Sequence, residues 1–407
     1  MSNELLQEIQ RLQFTDKQQA ERLLLDFLKG SFELAIHAVE LRPLAVSLNS
    51  FNGFVMLDDG QRLFFKTHVE SDTVIDEYYN AQQMADAGYP ILQPIYRSGE
   101  VGRQVLIYPV IDDPSVFDVA WAIENGQRHD LNALAQMQGA ADDLLQTIYQ
   151  RTLARQPAKE SAKAPIHQLF YHRLTGGRLD RFYPDNAVLA LSDGTAGMDE
   201  IRRVRWVING IPYADSLNTI IANAIERLNP ARDVPSVIGH GDAHNGNVFF
   251  RPDGLMYFDP AFAGRHSVLL DLVKPLFHNV FAMWMYFPNE IRSRLQITLR
   301  RDGDVWHVDH DYRLHPVRKM FFESKVERVL RPTLRELQRL GWLDADWRDT
   351  LRAALFCCPF LTMNLADSVK FPPEIRLLGL SMAVEMGSEA KNGARSTLLA
   401  QALAEGG

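Results

Sequence analysis

Cysteine is almost absent from this chain of 407 residues. The only two cysteines, Cys357 and Cys358, are neighbours in the apolar stretch LFCCPFL. Adjacent cysteines form a disulfide only with strain, so we expect two buried thiols and a protein that folds without disulfides. A chain of this kind fits a reducing compartment, which predicts a cytoplasmic location.

Long apolar segments are also lacking. The densest, VFAMWMYF at residues 280–287, is too short to span a bilayer. The N-terminal residues MSNELLQEIQRLQF are polar and include acidic side chains, which is unlike a signal peptide. We therefore expect no membrane-spanning segment and no membrane partner.

Positive charge is in deficit, with 43 Lys and Arg against 51 Asp and Glu and a net charge of -8. Proteins that bind nucleic acid in general carry basic faces, so this balance excludes that class. The acidic balance is compatible with a cationic small substrate. The hydrophobic content of 46% is that of an ordinary globular protein, and the length predicts two lobes or domains.

The first 110 residues have the pattern of a helix followed by an antiparallel sheet with one inserted helix. Thr15 is the expected N-cap of the first helix, which Gly30 closes. From about residue 34 the apolar period shortens to that of strands, with turns expected at residues 50–53 and 58–60. A second helix is predicted over residues 73–87.

After residue 112 the pattern is mostly helical. Residues 153–165, which are rich in Ala, Pro and charge, indicate an exposed connection. Two hairpins are predicted, with turns at Asn209-Gly210 and Asp302-Gly303. These patterns indicate an α+β protein with domains at residues 1–110 and 111–407.

The stretch HGDAHNGNVFF at residues 240–250 concentrates polar side chains before an apolar run. NVFF, RPDG and LMYFDP predict a strand, a tight turn and a returning strand, which brings Asn247 and Asp259 to the open end of a hairpin. Their oxygen atoms suit Mg²⁺, which takes one or two protein ligands and completes its shell with phosphate and water. Asp242, in the loop leading in, is left free to take a proton from a hydroxyl.

HGDAHNGN followed by FDP resembles the catalytic loop of the aminoglycoside phosphotransferase and choline kinase family, which has a protein-kinase-like fold. In kinases a loop Asp accepts the substrate proton, and an Asn five residues later and a further Asp bind metal. Asp242, Asn247 and Asp259 match that spacing, although Pro260 follows where acidic or aromatic residues are more usual. The resemblance implies a bilobal fold with a small antiparallel-sheet N-lobe and a large, mainly helical C-lobe.

The resemblance also assigns supporting roles in the C-lobe. Asp271, in SVLLDLVK, falls where the family places an Asp that hydrogen-bonds the catalytic loop. His240 would organise the loop rather than transfer a proton.

A site of this type needs a strand Lys that holds the donor phosphates and a helix carboxylate that orients it. Lys66, in RLFFKTH, is the lysine of the predicted strands. Glu77 falls on the apolar face of the following helix, where an unpaired charge would be costly, so we expect it to pair with Lys66.

The rest of the nucleotide site follows from the resemblance. The loop that would cover the phosphates has a single glycine, and its candidates are Ser50, Phe51 and Asn52. Backbone groups of about Tyr108 to Val110 would bond adenine.

Other interpretations stay open at this stage. The polar cluster could simply cap a turn, or His240, Asp242 and His244 could chelate a transition metal in a hydrolase. A nucleotide-binding regulator with this fold and no useful turnover is the alternative from another class.

The leading hypothesis is an ATP- and Mg²⁺-dependent kinase that phosphorylates a hydroxyl of a small molecule, such as an aminoglycoside, a choline-like amine, a sugar or an amino alcohol. The acceptor is expected near the aromatic stretch that begins at Phe277, although those side chains favour a core role. The sequence leaves the acceptor and the oligomeric state open.

Overall fold

A computed structural model of the chain describes residues 2–42, 50–68, 73–98, 105–391 and 398–404. The chain divides into two compact units. The first unit is Met1–Pro114 with Met256–Ala263, and the second is Ser115–Leu255 with Gly264–Gly407.

The first unit combines a five-stranded antiparallel sheet with three helices. The helices are α1 (Ser2–Leu12), α2 (Lys17–Ser31) and α3 (Thr73–Ala87). The strands are β1 (Ile36–Leu41), β2 (Ser50–Leu57), β3 (Arg62–His68), β4 (Tyr96–Ser98) and β5 (Val105–Pro109). The sheet order is β1-β2-β3-β5-β4, and apolar side chains of α1 and α2 form one core with the buried side chains of β1, β2, β3 and β5.

Two of the helix boundaries test the sequence patterns. The helix predicted over residues 73–87 is confirmed as α3. The predicted N-cap Thr15 is wrong, because the side chain of Asp16 accepts the hydrogen bond from Gln19 N at 3.0 Å and α2 begins one residue later than expected. A carboxylate is as good a cap as a hydroxyl, so the two adjacent residues compete for the same position.

The predicted turn at residues 50–53 is wrong, whereas the turn at 58–60 is confirmed between β2 and β3. Ser50 to Gly53 lie within β2 and pair with β3, with Asn52 opposite Lys66 and Gly53 opposite Phe65. Gly53 marks a close approach: a Cβ there would lie 2.0 Å from the carbonyl oxygen of Glu40 and 2.9 Å from the Phe65 ring. A glycine inside a strand is therefore used here for packing and not for a turn.

The second unit contains the remaining strands. They are β6 (Ala154–Gln156), β7 (Val188–Leu191), β8 (Gly194–Gly197), β9 (Arg205–Ile208), β10 (Ile211–Pro212), β11 (Val234–Gly239), β12 (Val248–Arg251), β13 (Gly254–Tyr257, whose last two residues belong to the first unit), β14 (Gly264–Ser267), β15 (Ile297–Asp302) and β16 (Val305–His310). The α+β class is confirmed.

Helices make up most of the second unit. They are α4 (Val116–Glu124), α5 (Leu131–Thr152), α6 (Ala158–Ser161), α7 (Tyr171–Thr175), α8 (Arg178–Phe182), α9 (Met198–Arg203), α10 (Leu217–Arg227), α11 (Val268–Asp271), α12 (Val273–His278), α13 (Met283–Tyr286), α14 (Pro288–Arg292), α15 (Pro316–Lys325), α16 (Arg331–Arg339), α17 (Trp347–Leu361), α18 (Pro373–Gly387) and α19 (Leu398–Ala404). A π-helix, Val326–Leu330, joins α15 to α16, and short 3₁₀ helices span Pro165–Leu169 and Asn245–Asn247.

Both predicted hairpins are confirmed, and they join in one sheet of order β10-β9-β16-β15. The first turns at Asn209-Gly210 as predicted, whereas the second turns at Gly303-Asp304, one residue later than predicted, because Asp302 pairs with Val305. The pairing of β9 with β16 is parallel, a long-range contact that no local pattern signals. The expectation of an exposed connection at residues 153–165 is wrong in part. Its first residues form β6, which pairs with β11. The sheet β14-β11-β6 places β11 in the centre.

Helices α17 and α18 are buried along almost their whole length and pack against each other. Cys357 and Cys358 lie in α17 with less than 2% exposure, as free thiols. Burial raises the pKa of the Cys358 thiol to about 11. The prediction of two buried thiols is therefore confirmed. Among the described residues, no helix combines the length and the apolar character that crossing a membrane requires.

Gly53→Ala is expected to destabilise the first unit by about 1–3 kcal/mol, because the added methyl group overpacks the contact with Glu40 and Phe65. Hydrogen–deuterium exchange of β2 and β3 amides measures this directly. Gly30→Ala is the matched control: nothing lies within 4 Å of its Cβ position in α2, and alanine favours a helix. Equal exchange rates in the Gly53 variant and the unmodified protein would contradict this packing role.

Candidate active site

The stretch His240 to Asn247 leaves the end of the central strand β11 and enters β12 through the 3₁₀ helix Asn245–Asn247. The preceding strand is held on both sides, by β14 and by β6. A loop at the end of a central strand combines a rigid base with exposed side chains, which is a common position for catalytic groups. We call residues 240–247 the catalytic loop, after the kinase segment that their motif resembles.

Asp271, at the end of α11, ties down the start of the catalytic loop. Its carboxylate accepts hydrogen bonds from Gly241 N at 2.6 Å, from His266 Nε2 at 2.9 Å and from the Tyr149 hydroxyl. The side chain is only 3% exposed. Burial alone would raise the pKa of Asp271, but the bonds from His266, Tyr149 and Gly241 lower it to about 2. The group is therefore a fixed anion at neutral pH.

Gly239, the last residue of β11, allows this arrangement. A Cβ at that position would lie 2.5 Å from the carboxylate of Asp271. Any side chain there would displace the group that holds the loop, so the glycine before His240 has a packing cause.

Asp242 has an asymmetric carboxylate. Its side chain is 18% exposed, yet Oδ1 is buried and accepts no hydrogen bond from the described residues. Oδ1 lies 3.5 Å from Lys274 Nζ, and Oδ2 lies 3.9 Å from His244 Nε2. Burial alone would raise the pKa of Asp242, but the nearby cations, with Lys274 first, outweigh it and hold the pKa below its usual value.

Two contacts shape the backbone around Asp242. Its amide donates to His240 Nδ1 at 3.3 Å, and His240 is 1% exposed. Its carbonyl oxygen accepts from Asn247 Nδ2 at 3.0 Å, which fixes the side-chain amide of Asn247 against the loop backbone. Further along, Asn245 N donates to Asn279 Oδ1 at 2.7 Å, which fastens the 3₁₀ helix to the end of α12.

Within the second unit, a chain of polar side chains runs from Asp242 through Lys274 and His278 to Tyr286. Lys274 Nζ lies 3.4 Å from His278 Nε2, and His278 Nδ1 lies 2.7 Å from the Tyr286 hydroxyl. Burial and the charge of Lys274 hold the pKa of His278 well below its usual value. The histidine is therefore neutral, accepts from the Lys274 ammonium at Nε2 and donates from Nδ1 to Tyr286.

The aromatic side chains of residues 277–287 lie partly in the core and partly near the surface. Phe277, Phe281 and Trp284 are buried, as expected for core side chains. Tyr286 and Phe287 are half-buried and contact the ring of Phe117 in α4, at centroid distances of 5.0 and 5.6 Å.

The first unit contains Lys66 and Asp259, and it brings them together. Lys66 Nζ lies 2.8 Å from Asp259 Oδ1, with side chains 18% and 43% exposed. The segment that carries Asp259 is anchored where Tyr257 N donates to Pro90 O at 2.7 Å and Tyr257 O accepts from Leu92 N at 2.8 Å. The two residues were predicted separately, as a phosphate-binding cation and a metal-binding anion, and their pairing was not expected.

Asp259 has a φ of +56°, in the left-handed region that non-glycine residues rarely adopt. The next residue, Pro260, accepts a hydrogen bond from Asn80 Nδ2 of α3 at 3.3 Å through its carbonyl oxygen. Strained backbone of this kind persists where neighbouring contacts fix it and is concentrated at functional sites. The unusual Pro260 is therefore part of a defined local conformation.

The other predicted nucleotide-site residues are all in the first unit. Ser50, Phe51 and Asn52 lie in β2, and the ring of Phe51 packs into the core against Phe65. Tyr108 is in β5 opposite Phe64, and Val110 follows that strand. Glu77 lies on α3, but its side chain is outside the described residues, so its pairing with Lys66 stays a prediction.

Sequence reasoning missed Lys274 and the supports of Asp271. Tyr149 and His266 come from α5 and β14, and no local spacing links them to the loop. Lys274 did carry a signal, as a cation inside the apolar run SVLLDLVKPLF. A buried lysine requires a partner, and the search for one leads to Asp242.

Among the described residues, no group of three His, Cys, Asp or Glu side chains is arranged to hold a metal ion. The geometry therefore gives no support to a His-rich transition-metal centre at His240, Asp242 and His244. The side-chain oxygens of Asn247 and of Asp259 are hard donors of the kind that Mg²⁺ takes alongside phosphate and water, so each side chain by itself suits that ion.

No protein-family profile matches the sequence, and no curated protein matches it. The structure is similar to an amicoumacin kinase in complex with AMP-PNP and Ca²⁺, with 14% identity, 88% of this chain and 92% of the other covered, and a TM-score of 0.48.

Two further solved structures show the same range of similarity. An aminoglycoside phosphotransferase, APH(4)-Ia, in a ternary complex with ADP and hygromycin B has 10% identity, covers 91% of this chain and 99% of its own, and has a TM-score of 0.47. A choline kinase from Cryptosporidium parvum has 10% identity, covers 90% and 94%, and has a TM-score of 0.37.

Asp271→Asn is expected to lower the free energy of unfolding of the second unit by about 3 kcal/mol at pH 6, because it removes a buried anion from its three donors. The pKa of Asp271 in the folded protein is about 2, below the ordinary 3.8. The ionised carboxylate therefore stabilises the fold above pH 4, and this contribution to the free energy of unfolding is lost as the pH falls towards 2. All six tryptophans are in the second unit, so urea unfolding followed by tryptophan fluorescence measures it.

The difference between the Asp271 variant and the unmodified protein should shrink as the pH is lowered from 6 to 2.5. Asp143→Asn is the matched control, because that carboxylate is 61% exposed and pairs with Arg328 on the surface. Surface pairs contribute about 0–1 kcal/mol, so the control should unfold almost as the unmodified protein does. A pH-independent difference would contradict the role of the Asp271 anion.

Proposed function

We propose that the protein is an ATP- and Mg²⁺-dependent phosphotransferase that acts on a hydroxyl group of a small molecule, and that its two units are the lobes of a kinase-like fold. The observation that carries this proposal is the state of Asp242. It is an anion at the end of a central strand, with one oxygen buried beside a cation and the other left to meet an acceptor. Asn247, five residues later, is bonded to its carbonyl oxygen.

The proposed step is a direct transfer. The acceptor hydroxyl gives its proton to Oδ2 of Asp242, and its oxygen forms a bond to the γ-phosphorus of ATP. The bond between that phosphorus and the β–γ bridging oxygen breaks, and its electron pair leaves with ADP. The protein forms no covalent intermediate, so its contribution is position and charge.

The donor side is proposed to lie in the first unit. Lys66 would bind the donor phosphates and Glu77 would orient it. Backbone groups of β2 near Ser50, Phe51 and Asn52 would lie over the phosphates, and those of Tyr108 and Val110 would bond adenine. The side chain of Phe51 is 1% exposed, so only its backbone is available for that contact.

Asn247 and Asp259 are proposed to hold Mg²⁺, which neutralises charge on the donor phosphates when it is bound. The Lys66–Asp259 pair supports this assignment indirectly. When the nucleotide binds, Lys66 would exchange Asp259 for phosphate oxygens, and Asp259 would exchange Lys66 for Mg²⁺.

The acceptor is proposed to bind in the second unit beside the half-buried rings of Phe117, Tyr286 and Phe287. Tyr286 is connected to Asp242 through His278 and Lys274, so these rings belong to the same contact network as the catalytic loop. Aromatic faces suit the apolar side of a sugar ring or an amine.

The proposal is tested by incubating purified protein with MgATP and a panel of hydroxylated metabolites and measuring ADP release. Asp242→Asn should lower kcat by about 10²–10⁴-fold, the range attributed to a general base. Its dissociation constant for MgATP, measured by calorimetry, should stay within twofold of the unmodified protein. ATP binding without ADP release across the panel would instead identify a nucleotide-binding regulator.

Two loop positions give a sharper contrast. Asn247→Ala should lower activity by about 10–100-fold at limiting Mg²⁺, because it removes a proposed metal ligand and the bond to the Asp242 carbonyl oxygen. His244→Gln should lower activity less than threefold, since His244 Nε2 is 3.9 Å from Asp242 Oδ2, beyond hydrogen-bond distance, and its Nδ1 accepts from the backbone at Gly246 N. A larger loss for His244→Gln than for Asn247→Ala would reverse the assignment of ligands. Mg²⁺ titrations of both variants distinguish these outcomes.

A further inference from the structure

Lys274 is a buried cation whose position the known parts of the site do not explain. It lies in α12, and its side chain is 3% exposed. Placing an ammonium group in the interior is costly unless an anion and hydrogen-bond acceptors surround it. The anion at Lys274 is the carboxylate of Asp242, and the acceptor is Nε2 of His278.

Lys274 gives the two carboxylate oxygens of Asp242 different environments. The ammonium approaches Oδ1, and that oxygen is closed to solvent. Oδ2 is therefore the oxygen that can meet a hydroxyl from outside. A carboxylate without such a partner could rotate about its Cβ–Cγ bond and exchange the two oxygens.

The far side of Lys274 is also held. The ammonium donates to His278 Nε2, and His278 in turn donates from Nδ1 to the Tyr286 hydroxyl at 2.7 Å. The neutral state of His278 agrees with this direction, because a protonated ring would have no lone pair for Lys274. Asp242 and His278 thus both hold the ammonium.

We infer that Lys274 is a positioning residue for the phosphoryl transfer: it holds the Asp242 carboxylate with Oδ2 towards the acceptor hydroxyl. This inference rests on the proposed function. The proton of the acceptor passes to Oδ2, and Lys274 keeps its own protons throughout. Once Oδ2 is protonated the ion pair is lost, so Lys274 also favours return of that proton to solvent before the next turnover.

The test uses the full chain with MgATP and water as the acceptor, a probe that needs no identified metabolite, and then any acceptor that releases ADP. Lys274→Met keeps the apolar volume and removes the charge. We expect kcat to fall about 100-fold, the scale of a misplaced catalytic group, with the KM for MgATP within twofold of the unmodified protein. A kcat within twofold of the unmodified protein would overturn the inference.

Lys325→Met is the matched control. Lys325 is another buried lysine of the second unit, 6% exposed, and pairs with Asp142 of α5. Breaking this pair should lower the midpoint of thermal unfolding but leave kcat per folded molecule within twofold. An equal loss of kcat in both lysine variants would assign the effect of Lys274 to general destabilisation and overturn the inference.

A double variant covers the case in which Lys274→Met does not fold. Asp242→Asn with Lys274→Met removes both charges together, so no unpaired charge stays buried. Its kcat should lie within twofold of Asp242→Asn alone, because Lys274 acts only through Asp242. A further tenfold loss in the double variant would show an independent role and overturn the inference.

The same measurements distinguish failure of the proposed phosphotransferase function from failure of the positioning role of Lys274. Full activity in Asp242→Asn would refute the proposed function itself. An inactive Asp242→Asn beside a fully active Lys274→Met would refute only the positioning role.

Discussion

The interaction on which the candidate site depends is the triple hydrogen bond to Asp271. Three donors from three different segments, Gly241, His266 and Tyr149, meet one buried carboxylate. Such a group cannot be protonated or moved cheaply, because each donor would then lose its partner in a place that water does not reach. The backbone at the start of the catalytic loop is therefore fixed before any ligand arrives.

With that backbone fixed, the side chains of the loop can be used for chemistry. Asp242 follows Gly241 directly, so the hydrogen bond from Gly241 N to Asp271 fixes the backbone position from which the Asp242 carboxylate extends. Its amide and carbonyl groups are bonded to His240 and Asn247, which leaves the carboxylate as the part of the residue that can bind a ligand. Preorganisation of this kind lowers the cost of aligning the reacting groups.

Local patterns predicted the parts of the fold that local physics determines. The helix α3, both hairpins of the second unit and the buried cysteine pair follow from apolar periodicity, turn residues and burial. The patterns failed where a distant contact decides. Gly53 looked like a turn because its cause, the approach of Glu40 and Phe65, lies on other strands. For the same reason the motif spacing suggested Asp242 and Asp271, but Lys274 and Tyr149 emerge only once α12 and α5 are packed.

Two buried lysines among the described residues of the second unit pair with aspartates, and they show how a purely structural carboxylate differs from one that can bind a ligand. Asp142 is fully buried, and both of its oxygens are used, one by Lys325 and one by the Ser324 hydroxyl. Asp242 is 18% exposed, and Lys274 faces only Oδ1. A saturated carboxylate can only stabilise packing, since nothing is left for a ligand. An unsaturated one retains the capacity to accept a hydrogen bond or a proton, and in Asp242 the buried cation lies beside only one of the two oxygens.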